Sequence, residues 1–139
     1  MTLLSTLRSA LGANRSGRPG APEPVVPLAS GRAPSVSGVT PSGDPIEVAP
    51  EEGGVSLLFL TSDCAECKSC WERPFDPADA VIIVTPDPAT DSSRAVARLS
   101  PHGVPVVMSS ASWHAYGVTK APWMVTVNEG EVTGSRPAV

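Results

Sequence analysis

Residues 55–70 read Val-Ser-Leu-Leu-Phe-Leu-Thr-Ser-Asp-Cys-Ala-Glu-Cys-Lys-Ser-Cys. The run Val55–Leu60 is almost wholly apolar, as expected of a strand buried on both faces. Cys64 follows where that strand ends, and the spacing predicts a short helix of about ten residues from Cys64 to Arg73. Pro74 and Pro77 end it, because proline cannot continue a helix interior. A thiol at a helix opening meets unpaired amide N–H groups and the positive end of the helix dipole, and both favour thiolate over thiol. Only the thiolate attacks disulfides. Cys67 lies three residues on, near enough to form a disulfide with Cys64 without moving the backbone.

Strand and helix signals alternate on either side of this stretch. Val81-Ile82-Ile83-Val84 is a second buried strand. Asp91 can cap a helix running to about Leu99, with Val96 and Leu99 on one face. Val104–Met108 is a third strand, and Ala111–Tyr116 is one or two helical turns. Trp123–Val127 alternates, then turns through Asn128-Glu129-Gly130 into Glu131–Thr133 as a hairpin. Upstream, Ser35–Val39 and Pro45–Val48 flank Thr40-Pro41-Ser42-Gly43-Asp44, which predicts an N-terminal β-hairpin. The expected fold class is α/β, with a mixed central sheet and flanking helices.

The chain has 139 residues, enough for one domain, with 16 Pro and 12 Gly. Apolar residues make up 41% and charged residues 17%, an ordinary balance for a globular chain. The charge is uneven. Residues 1–33 carry four Arg against Glu23, whereas the remainder is strongly acidic. An acidic body argues against nucleic acid as a partner, since phosphate binding needs a basic face. Residues 1–30 read as a flexible basic segment and linker, and residues 31–139 as the domain. Leu4, Leu7 and Leu11 share one helical face, which leaves loose membrane contact open. The basic start resembles a transit peptide, although a plain disordered tail is the favoured reading. It lacks the continuous apolar core of a secretory signal, so the default expectation is cytoplasmic. No apolar run approaches the ~20 residues of a membrane span.

A Cys-x-x-Cys pair also serves zinc and iron–sulfur sites. Zinc usually takes four ligands. Here there are three thiols, Cys64, Cys67 and Cys70, and two distant histidines, His102 and His114, neither at a ligand spacing. The expectation is therefore no metal and no cofactor. Cys70 reads either as a small buried hydrophobe or as an alternative resolving thiol.

The Cys64/Cys67 pair after an apolar strand, together with Tyr116-Gly117-Val118-Thr119-Lys120-Ala121-Pro122-Trp123 and the Asn128-Glu129-Gly130-Glu131-Val132 hairpin, resembles the thioredoxin superfamily. Gly31-Arg32-Ala33-Pro34 and Gly43-Asp44-Pro45-Ile46 are similar to the opening hairpin of its redoxin branch, which includes TlpA- and MauD-like proteins. The resemblance spans roughly residues 31–134. It implies a thioredoxin-like fold, with Cys64 as nucleophile and Cys67 as resolving cysteine. It also implies that Pro122 is a cis-proline beside the redox pair. The Ala121 backbone would then bind extended substrate, with Asp63 lining the groove; Trp123, beside Pro122, reads as a packing residue first and as a further wall of that groove second.

Departures from the family pattern are also visible. Asp63 replaces the usual Trp before the first cysteine, and Leu58 stands where many members carry a buried acid. The usual C-terminal helix has no counterpart after Val132, so one sheet face is expected to be thinly covered, with Leu4/Leu7/Leu11 or another subunit over it. Asp63 and Glu66 oppose the thiolate, with Lys68 offsetting only part. The leading expectation is a thiol–disulfide oxidoreductase acting as reductant or exchange catalyst on a protein or small-molecule disulfide, recharged by an electron donor. The alternatives are a peroxiredoxin-like peroxidase, with Thr61 three residues before Cys64, and a non-enzymatic metal-binding or interaction module.

Overall fold

The computed structural model describes residues 27–73, 75 and 80–138. In chain order the strands are β1 (Gly31–Arg32), β2 (Val36–Val39), β3 (Pro45–Val48), β4 (Gly54–Phe59), β5 (Val81–Thr85), β6 (Val106–Met108), β7 (Trp123–Asn128) and β8 (Glu131–Pro137). Three short helices interrupt them: α1 (Lys68–Glu72), α2 (Ser93–Leu99) and α3 (Ser110–Ala115). All the strands join one sheet in the order β1-β8-β7-β4-β5-β6-β2-β3. β4, β5 and β6 run parallel, and β7, β8, β1, β2 and β3 add antiparallel neighbours on both sides. The sheet is mixed, as the alternation of signals predicts. The upstream hairpin forms as β2 and β3, with Val36 opposite Val48.

The apolar run of β4 explains its central place. Leu57, Leu58 and Phe59 are all fully buried, and successive side chains point to opposite faces. Each fully buried side chain of this size contributes roughly 1.5–3 kcal/mol. Leu57 and Phe59 join Ile82, Val84, Tyr116, Val125 and others on one face. Leu58 joins Leu60, Cys67, Cys70, Trp71, Ile83 and Val96 on the other. On the first face, Trp113 of α3 sets its ring edge-on to Phe59 at 5.4 Å, and Leu28 packs against the same cluster. α1 and α2 cover the second face through Trp71 and Val96.

Several bounds differ from expectation. The third strand starts at Val106 rather than Val104, and β8 runs on to Pro137, where Thr133 makes room for a register shift against β7. Ser92, not Asp91, is the N-cap of α2: its Oγ accepts from the Ala95 amide at 3.1 Å. Pro74, Pro77 and the Leu4/Leu7/Leu11 stretch lie outside the described residues.

Among the described residues no helix follows β8, yet the expected thin cover takes a different form. On the α1 side of the sheet, β4, β7 and β8 present Ser56, Thr126, Thr133 and Arg136, all half-buried or exposed. Thr133 Oγ1 lies 3.3 Å from both the carbonyl oxygen and Oγ1 of Thr126, and the Arg136 guanidinium lies 3.5 Å from Met124 Sδ. A sheet face made of hydroxyls and a guanidinium remains hydrated at little cost, so it does not demand a helix.

Candidate active site

The turn after β4 is held at three points. The Leu60 amide donates to the Val84 carbonyl at 3.1 Å and closes the β4–β5 ladder. Trp71 of α1, 4% exposed, donates its indole N–H to the Thr61 carbonyl at 3.0 Å. Asp91, at the end of the β5–α2 loop, accepts from the Ser62 amide at 3.0 Å and from Ser62 Oγ at 2.5 Å. Cys64 follows two residues after Ser62.

The helix after this turn is shorter than the spacing predicts. Cys64–Cys67 is a tight turn, closed by Cys67 N–H to the Cys64 carbonyl at 3.1 Å and Lys68 N–H to the Ala65 carbonyl at 3.4 Å. α1 begins only at Lys68, with Cys67 as its N-cap. Such i→i−3 bonds mark a tighter winding than the α-helix. Five residues make a weak dipole, so the main positive influence on Cys64 is local. The Cys67 amide points at Cys64 Sγ from 3.0 Å. Arg73 leaves the helix in an extended conformation (ψ 134°), as a residue preceding proline prefers.

Cys64 and Cys67 are joined in a disulfide, with Cα atoms 5.1 Å apart. The two sulfurs are not equivalent. Cys64 is half-buried and Cys67 fully buried, so an external partner reaches Cys64 alone. Beside Cys64 lies a cavity of about 320 Å³ lined by Ser62, Asp63, Ala65, Lys68, Trp71 and Leu99, among others. Cys70 is a free, fully buried thiol within the core cluster of the second face.

Across the sheet edge, the Ala121–Pro122 peptide is cis, and the Ala121 carbonyl oxygen lies 3.7 Å from Cys64 Sγ. The structure thus brings Cys64, Cys67, Ala121 and Pro122 together, with Asp63 exposed on the rim. Trp123 is not part of this group. Strand alternation turns it to the opposite face, where its indole N–H donates to Ser135 Oγ at 2.8 Å and Lys120 Nζ sits 5.7 Å from the ring centre. Met124 is the β7 side chain that packs on the cysteine side. Lys68 pairs with Glu72 at 2.5 Å rather than facing Cys64, and both side chains are largely exposed.

Asp91 and Trp71 as tethers of the cysteine turn escape the sequence reading. A signal for Asp91 was present: Asp91-Ser92-Ser93 offers more cap-forming residues than one helix start can use, so one carboxylate is left free for another task. Among the described residues no group of three or more His, Cys, Asp and Glu side chains is arranged to hold a metal ion.

No protein-family model matches the chain, and no curated protein matches it in sequence. Solved structures match it in shape. A protein from Chlorobium tepidum described as thiol:disulfide interchange protein DsbE shares 19% identity at a TM-score of 0.64, over 81% of this chain and 86% of that one. The thioredoxin domain of a thiol-disulfide oxidoreductase from Bacteroides vulgatus shares 15% identity at 0.57, over 79% and 88%. A peroxiredoxin-like protein from Aquifex aeolicus shares 18% at 0.60, over 81% and 78%. These likenesses carry the fold, which is thioredoxin-like.

Proposed function

We propose that the chain is a thiol–disulfide oxidoreductase of the thioredoxin type, acting as a reductant or exchange catalyst on protein or small-molecule disulfides. The observation that carries this reading is the asymmetry of the pair: a reachable Cys64 bonded to a fully buried Cys67, with the Ala121 carbonyl 3.7 Å from the reachable sulfur. A thiol donor first reduces the Cys64–Cys67 disulfide with two electrons. The Cys64 thiolate then attacks a substrate disulfide, forming a mixed disulfide and releasing one substrate thiol. Cys67 attacks Cys64 Sγ, releases the second substrate thiol and restores the oxidised pair. The Cys67 amide, 3.0 Å from Cys64 Sγ, stabilises negative charge on that sulfur as it arrives and leaves.

The exposed acids Asp63 and Glu66 flank Cys64, and Lys68 is engaged by Glu72, which favours a reductant over a strong oxidant. A measured reduction potential near about −120 mV, the strongly oxidising end of the scale, would contradict that direction.

Turnover of insulin disulfides by the reduced protein tests the whole reading. Cys64→Ser is expected to abolish turnover. Cys67→Ser is expected to stop after one step and accumulate a mixed disulfide through Cys64. Turnover that survives Cys64→Ser sinks the proposal.

A further inference from the structure

We infer that Asp91 is a positioning residue for Cys64: its carboxylate holds the turn that carries the sulfur and sets negative charge against the Cys64 thiolate. The pair is thereby biased toward its disulfide, and so toward reducing other disulfides. This inference rests on the thiol–disulfide reading above.

Asp91 is only 9% exposed. Three donors converge on its carboxylate: the Ser62 amide at 3.0 Å, Ser62 Oγ at 2.5 Å and the Ser92 amide at 2.8 Å. Capping α2 does not require it, because Ser92 Oγ already accepts from the Ala95 amide. Two of the three bonds reach across to Ser62, 29 positions away in sequence, and only Asp63 separates Ser62 from Cys64. A buried carboxylate is costly unless its oxygens are satisfied, so this arrangement strongly favours one position for the turn.

All three donors are neutral. Among the described residues the one ion pair joins Lys68 to Glu72, so no cation pairs directly with Asp91. Its carboxylate is held against Ser62, two positions before Cys64, in a partly buried region where charge is felt more strongly than in water. The other charged groups near Cys64 are Asp63, Glu66, Lys68 and Glu72 on its own turn and α1, whereas the Lys120 ammonium lies over the Trp123 ring on the opposite face. Asp91 differs from them in being buried, where solvent screens least.

The test uses two variants of the full chain that break the same contact and carry opposite electrostatic consequences. Asp91→Asn removes the charge. Ser62→Ala keeps the charge and removes a hydroxyl that offsets it. Each protein is equilibrated in glutathione redox buffers, and the pH dependence of Cys64 alkylation is read peptide by peptide. Asp91→Asn is expected to raise the equilibrium constant for reduction by glutathione about tenfold and to move Cys64 alkylation to lower pH. Ser62→Ala is expected to move both about two- to threefold in the other direction.

A purely structural tether predicts the same direction for both variants, since both loosen one turn, and that result, or no change in either, overturns the inference. If Asp91→Asn fails to fold, Ser62→Ala alone decides, with an unchanged or raised equilibrium constant overturning it. A wild-type protein unable to reduce insulin would instead remove the function above, and this equilibrium would still be measurable.

Discussion

Replacing Tyr116 by Phe tests how the segment leading to Pro122 is anchored. Tyr116 is fully buried at the end of α3, its hydroxyl donates to the Pro34 carbonyl, and its own carbonyl accepts from the Leu28 amide at 2.9 Å. Burial pushes the phenol up from 10.0 to about 12. The native state therefore holds this proton more tightly than the unfolded chain does. The resulting stability is fully present below about pH 10 and is lost as pH rises toward about 12. Two pH units at about 1.36 kcal/mol each amount to about 2.7 kcal/mol, roughly half of it gone by about pH 11. Phe cannot ionise, so its stability lacks this decline. At neutral pH the substitution instead costs about 1–1.5 kcal/mol, because the hydrogen bond is lost and the Pro34 carbonyl is left without its partner. The two stability curves should thus converge and meet near about pH 11. Urea unfolding of both proteins at about pH 8, 10 and 11 measures the gap, and titrations common to both proteins cancel in the difference. A gap that stays constant over that range would refute the reasoning.

Other substitutions probe the sheet and the remaining thiol. At Gly38, in β2, an added Cβ would lie 2.2 Å from the Met108 carbonyl oxygen and 2.9 Å from Ser109 Cβ, so Gly38→Ala must force β2 away from β6. A loss of about 2–3 kcal/mol is expected in urea unfolding, and an unchanged midpoint would show that the two strands separate freely. Cys70→Ala removes a fully buried sulfur and should cost about 1–2 kcal/mol while leaving insulin turnover within about twofold. A turnover defect as deep as that of Cys67→Ser would instead make Cys70 a participant in exchange.

Much of the fold is legible residue by residue because burial leaves a periodic trace. Leu57-Leu58-Phe59 and Ile82-Ile83-Val84 are apolar on successive positions, and both strands are buried on both faces at the centre of the sheet. The turn chemistry of Thr40–Asp44 and Asn128–Gly130 is local, so both hairpins form where expected. Helix length was less legible. The Cys64–Cys67 segment has the composition of a helix start, yet its amides satisfy carbonyls three residues back, and tertiary contacts hold that tighter winding. Trp123 packs on the face opposite the cysteines, the packing reading of the two that its sequence position leaves open, because adjacency to Pro122 says nothing about side and the pleat sends neighbours to opposite faces.

The residues alone determined a mixed α/β sheet and a Cys-x-x-Cys pair at the end of its central strand, because apolar periodicity and cysteine spacing are properties of short stretches; Pro122 beside that pair is what the family resemblance implies. Tertiary structure alone decided which sulfur meets solvent, that the Ala121 carbonyl lies against it, and that Asp91 reaches Ser62 across 29 positions. Those contacts join segments far apart in the chain. No local preference encodes them, and only the packing of β4, β5, α1 and α2 brings their atoms within hydrogen-bond distance.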